Sequence, residues 1–255
     1  MKILKPFEKV NKSTKGIITA SWLIFLIGFW ASMGIGETHL FPTIAQVLKG
    51  LGALYQEGII IHVGSSLWLC ARAVFLSVLI SLSFAYLSTI PVVKPLSTFF
   101  SKLRYLPLAG ISFYITVLID DARTIQIWTL VIFMTIFLIT SLLAVIGDIP
   151  EEDFDHARTL GYNRWQILLE VVVKGRFDYV LEVIRQNLAI VWMMIVTVES
   201  TVVASGGLGF LIKNSDKFMD HGKIIALQIV ILLIGLTLDF VLTFMRKALF
   251  RYSKI

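Results

Sequence analysis

Charged side chains are scarce in this sequence: 16% of 255 residues, against 57% hydrophobic. Soluble domains carry about 25% charged and 45–50% apolar residues, so a water-soluble globule of this length would lack the polar surface to cover itself. Disorder is excluded by the same figures, because a disordered chain needs low hydrophobicity and high net charge. The single cysteine, Cys70, excludes an intrachain disulfide. There is no G-x-x-x-x-G-K-[ST] loop to cradle nucleotide phosphates, and no H-E-x-x-H or G-x-S-x-G. The four histidines, His39, His62, His156 and His221, are scattered, and no metal set is legible. What remains is an all-α integral membrane protein.

A bilayer core of roughly 30 Å needs about 20 apolar residues in a helix. Six runs approach that length, at about 16–33, 65–89, 105–119, 125–147, 180–205 and 224–245. The third is the shortest and contains Pro107 and Gly110. The first has a basic flank like a secretory signal. Its apolar core exceeds the usual 7–15 residues, however, and no A-x-A-like site follows, so it reads as a retained span. The chain divides into a basic terminus at 1–15, one membrane domain at 16–245 with a long loop at 148–179, and a basic terminus at 246–255.

The net charge of +6 acquires meaning from its placement. Basic residues are retained on the cytoplasmic face. Both termini, the 90–104 loop and the 148–179 loop together hold sixteen Lys and Arg, while the alternate loops hold only Lys49, Arg123, Lys213, Lys217 and Lys223. That asymmetry predicts both termini in the cytoplasm, and no basic stripe with interleaved aromatics suggests nucleic acid. A short helix near Thr43 to Tyr55 is expected on the outer side.

The 148–179 loop is too long for a plain connection, whose median is near 4–6 residues. Asp148 and Glu151 have the spacing of a capping box, with Pro150 in the first turn. Glu151, Glu152, Asp153 and Asp155 favour a helix N-terminus. Phe154, Ala157 and Leu160 form one narrow apolar stripe, and Gly161 can end the helix in the left-handed conformation. Asn163 and Gln166 then form a second capping box that opens a helix carrying Trp165, Ile167, Leu168, Val171 and Val172. The acidic first turn argues against lying on anionic lipid, where interfacial helices carry Lys and Arg, and for docking in a protein groove.

The stretch Asp155-His156-Ala157-Arg158-Thr159-Leu160-Gly161-Tyr162-Asn163-Arg164-Trp165 resembles the EAA loop of binding-protein-dependent ABC importer permeases. Arg185-Gln186-Asn187-Leu188-Ala189 with Trp192, Glu199, and the run from Ser205 to Ile212 resemble that family's next span and following loop. Phe41-Pro42-Thr43 with Val47-Leu48 resembles its nitrate, sulfonate and taurine branch. His156 stands where alanine is usual, and Val173-Lys174 replaces the usual Leu-Pro. The resemblance implies a type I importer fold in the bacterial inner membrane. It also implies a second permease copy, two ABC ATPase subunits carrying Mg-ATP, and an external solute-binding protein, with no cofactor on this chain. Phe154, Asp155, His156, Ala157, Leu160 and Gly161 would carry coupling to the ATPases.

Ionisable groups inside spans default to functional hypotheses. Glu199 is expected at a gate, with Arg72 as its partner and Gly207 and Gly209 beside it. The glycine run is either a flexible outer turn or a segment re-entering the bundle. Glu182 and Arg185 are spaced to pair, Asp239 has no evident partner, and Ala73, Ser77, Ser81 and Ala85 form a small-residue stripe for helix packing. An ion-coupled carrier or channel using Glu199 and Asp239 is the rival class. A membrane enzyme is weaker, because Asp120 and Asp121 sit in a short outer turn where solvation explains them.

Overall fold

The computed structural model describes residues 11–33, 42–204 and 206–250. Residues 1–10 and 251–255 of the basic termini, with Phe41 and Ser205, lie outside them. Among the described residues every regular element is helical. Five helices are long and apolar enough to cross a bilayer: α1 (Lys12–Met33), α3 (Ile59–Leu87), α6 (Ala122–Gly147), α9 (Phe177–Thr201) and α11 (His221–Leu249). Between them run α2 (Ile44–Gln56), α4 (Lys94–Lys102), α5 (Leu108–Leu118), α7 (Glu151–Thr159), α8 (Arg164–Ile167) and α10 (Leu208–Lys217).

The expected third span is broken. A 3-10 turn at Leu103–Tyr105 separates α4 from α5, and Pro107 precedes the first residue of α5. Proline has no N–H to donate and disfavours helical backbone in the residue before it. α5 is 11 residues long, too short to cross alone. Yet the Thr140 hydroxyl of α6 donates to the Ser101 carbonyl, while only three residues separate α5 from α6. The broken segment therefore runs back along α6 over roughly 27 Å, at 1.5 Å per residue.

The core gathers α3, α6, α9, α10 and α11. Ala73, Ser77, Ser81 and Ala85 of α3 are all buried, and the Ser77 hydroxyl donates to the Val131 carbonyl of α6. The small-residue stripe thus serves close helix approach, as its four-residue spacing suggests. α1 stands off from this core, packed against it at Trp30 with most of its apolar surface exposed. Thr43 caps α2 in a full capping box with Gln46, and α2 lies against α11, with Gly50 facing Gly222.

Two ends of the bundle carry distinct polar structure. We call them the loop end, with residues 148–176, and the glycine end, with residues 202–223.

Candidate functional site

At the loop end, α7 is 9 residues long and begins just after Pro150 without a side-chain cap, so the Asp148 and Glu151 capping box does not form. Asp148 instead closes α6, donating its N–H to the Ala144 carbonyl. The remainder of the elbow follows the sequence closely. Gly161 has φ +77, its N–H donates to Arg158 at 3.0 Å, and the Tyr162 N–H donates to Ala157 at 3.2 Å. That pair of bonds is a Schellman turn, which needs a left-handed residue at this position. Asn163 and Gln166 exchange reciprocal capping bonds of 2.8 Å.

The expected apolar stripe of α7 divides between two faces. Ala157 is buried, and α7 meets α8 and the π-helical turn Leu168–Lys174. Phe154 is half-buried, while Leu160 is 58% exposed. Asp155, His156, Tyr162 and Trp165 also face outward. Ala157 therefore supports the elbow from inside, and the outward surface is Asp155, His156 and Leu160 with two aromatics. Arg158 pairs with Asp155 at 2.6 Å and Glu151 at 3.4 Å, and Arg176 pairs with Asp153 at 3.0 Å, tying α7 to the start of α9. Lacking proline at 174, the chain leaves the elbow through the π-helical turn, closed by the Gly175 N–H on the Glu170 carbonyl.

At the glycine end, Glu199 is fully buried. The Ser66 hydroxyl lies 2.8 Å from both of its oxygens, the Gly209 N–H donates to Oε2 at 2.9 Å, and Arg123 Nη1 stands 3.8 Å from Oε1. Ser66 in turn accepts from the Leu208 N–H at 2.9 Å. The carboxylate thus closes the N-terminus of α10, where unsatisfied N–H groups and the helix dipole favour an anion. Gly207, at φ +119, and Gly209 permit this approach. A Cβ on the first would overlap the Glu199 carboxylate, and on the second the Val196 carbonyl. Around them the Gly207 N–H donates to His62 Nδ1 at 3.1 Å, His62 stacks on Phe210, and Arg123 donates to Ser65 and to Gln126. Gln126 donates to the Val202 carbonyl.

Of the two readings of the glycine run, the re-entrant one describes this arrangement, since α10 packs on α3, α9 and α11. Arg72 is not part of it. Its guanidinium lies over the exposed Trp68 ring, 4.7 Å from the centroid, because its position on α3 points away from the buried stripe. The missed partners were Ser66, two turns before Ala73 on that stripe, and Arg123, which as a loop cation gives no sign of turning inward.

A second polar network joins α9 to α11 nearer the loop end. Glu182 pairs with Arg185, as the spacing anticipates, and also with Arg246, while Arg185 pairs with Asp239. Asp239 therefore has its partner on the neighbouring helix. Asp121 caps α6 through the Thr124 N–H and hydroxyl, and those bonds hold its carboxyl below the usual range.

An all-helical bundle with five helices long and apolar enough to cross a bilayer has the architecture of a multi-pass membrane protein. The chain belongs to the family described as the binding-protein-dependent transport system inner membrane component, whose family model matches residues 77–252. It is 32% identical over 118 residues to a putative ABC transporter permease protein of Methanocaldococcus jannaschii, covering 46% of this chain and 44% of that protein. It is 29% identical over 147 residues to the taurine transport system permease protein of Escherichia coli, covering 58% of this chain and 51% of that one. The chain thus spans about half the length of the curated relatives it matches. Its fold is similar to that in inward-facing structures of a methionine ABC transporter, with TM-score 0.63 at 14% identity over 74% of this chain and 95% of that one. An amino acid ABC transporter crystallised with histidines gives 0.66 at 16% identity, over 77% and 96%.

Proposed function

We propose that this chain is the membrane-spanning subunit of an ATP-driven importer, paired with a second copy and moving a small solute across the inner membrane. The observation that carries the reading is the elbow, a short acidic helix fixed by a Schellman turn within the family-matched region. Asp155, His156 and Leu160 are left uncovered by the described residues and suit the groove of an ATPase subunit, while Phe154, Ala157 and Gly161 hold the helix in place. The count of Lys and Arg supports a cytoplasmic position for the loop end and both termini. ATP-driven closure of the partners can bias the permease only through contacts that differ between its states, and the elbow supplies those contacts. At the opposite end, the Glu199 clamp fixes α10 and, with Gly207 and Gly209, forms the outer gate. A solute-binding protein would deliver solute there. The resemblance to a taurine permease and the branch motif after the first span favour a small anion such as a sulfonate, taurine or nitrate. Glu199 is held by three partners at once, which suits a fixed gate better than the mobile relay an ion-coupled carrier needs.

The test is purification from the native membrane in mild detergent, followed by reconstitution with the binding protein. ATP-dependent uptake that needs a stoichiometric ATPase subunit supports the reading. Uptake by this chain alone, driven by an ion gradient, overturns it.

A further inference from the structure

Between α9 and α11 lies a groove of about 580 Å³. Its walls are mostly apolar, with Trp192 on α9 and Leu232 and Leu236 on α11, but its polar groups are out of place for a lipid-facing surface. Gln228 is exposed about 10 Å inside one end of α11, and Asp239 is half-buried about 15 Å inside the other, at 1.5 Å per residue. The Asp239 side chain is 49% exposed. Charged groups at such depth face a bundle interior or a water-filled cavity, not hydrocarbon. The opposite face of α11, with Leu233 and Phe244, carries no such group.

The charges within the groove indicate what it would hold. Arg185 spends Nε and Nη2 on Glu182 and Nη1 on Asp239. Asp239 receives only Arg185 among the described residues, through one oxygen, while Arg185, which lines the same groove, keeps a second N–H on each of Nη1 and Nη2, so the groove presents an accepting oxygen beside a donating guanidinium. The carboxylate oxygen complements an ammonium and the remaining guanidinium N–H groups complement an oxyanion, so the pair suits a solute that carries both. We propose that the groove between α9 and α11 is a water-filled solute site within the membrane, where Asp239 binds the ammonium of a small amine-bearing solute. This rests on the importer reading and narrows it: an amino sulfonate, which carries both charges, meets both groups, whereas nitrate leaves the Asp239 oxygen without a donor.

The experiment uses the reconstituted complex carrying Cys70→Ser, with single cysteines at Leu232 and Leu236 in the groove and at Leu233 and Phe244 outside it. A charged, membrane-impermeant thiol reagent needs water and a thiolate. It should label the groove pair and leave the other pair unlabelled. Taurine should slow labelling of Leu232→Cys, 2-hydroxyethanesulfonate should not, and adding Asp239→Asn should weaken taurine protection roughly tenfold, the loss of one charge-assisted hydrogen bond. Unlabelled groove cysteines in a complex with intact ATP-driven uptake would mean that lipid or a second chain fills the groove, and the inference fails while the importer stands. Labelled groove cysteines without ATP-driven uptake would sink the importer reading and leave the groove. Equal protection by both sulfonates would overturn the ammonium assignment.

Discussion

The two ends of the bundle treat their polar groups in opposite ways. At the glycine end, Glu199, Ser66 and the first N–H groups of α10 bind one another out of reach of solvent. At the loop end, Arg158, Asp155 and Glu151 pair with side chains 58% to 75% exposed, and Leu160 and Trp165 face outward with nothing among the described residues to cover them. Removing one partner from a buried hydrogen-bonded charge leaves the others unsatisfied and costs about 3–5 kcal/mol, whereas exposed ion pairs contribute about 0–1 kcal/mol. The glycine end therefore stabilises the fold, and the loop end is shaped for contact with something else.

That contrast can be broken most directly at Glu199. Glu199→Leu should lower stability by about 3–5 kcal/mol, because Ser66, Arg123 and the Gly209 N–H lose a shared acceptor; a detergent melt within 1 kcal/mol of the parent would mean that the clamp is ornamental. Ser66→Ala should cost about 1–3 kcal/mol by leaving the Leu208 N–H unpaired, measured in the same melt. At the other end, Gly161→Val forces a β-branched residue into the left-handed region at about 1–3 kcal/mol. This strain should stay local: the bundle melt is retained while solute-stimulated ATP hydrolysis by the complex is lost. Wild-type coupling in that variant would show that the turn does not set the elbow's angle. Leu160→Ser should leave melting within about 0.5 kcal/mol, as for other exposed sites, yet reduce ATPase co-purification. The smallest effect belongs to Asp121, whose bonds to Thr124 depress its carboxyl pKa. Its stabilising contribution is complete above the ordinary carboxylate pKa of about 3.9 and fades as pH falls through the depressed value. The melting difference between parent and Asp121→Ala should therefore be constant from pH 7 to about 5 and vanish only in strong acid.

What was legible in the sequence was local. The Asn163 and Gln166 box, the Gly161 turn and the Glu182–Arg185 pair are decided within a few residues, and each forms as its spacing indicates. The Asp148 box fails because the residue that would cap α7 is already closing α6. Contacts across the bundle were not legible. Ser66 and Glu199 are 133 positions apart, and the spacing within each helix says nothing about the rotation that brings them together. Arg72 and Arg123 are both single arginines near the glycine end, and only packing decides which of them turns inward. The branching of the α7 stripe had the same origin, since Ala157 is buried while α7 meets elements whose position no stripe on α7 reveals.

The break between α4 and α5 bears on how the chain enters the bilayer in the first place. A helix of eleven residues that includes Gly110, Ser112 and Thr116 offers an insertion machine too weak a stop to partition unaided. The segment must therefore wait at the exit channel for α6 and slide in with it as a hairpin, so that the order of synthesis becomes part of how the topology is written.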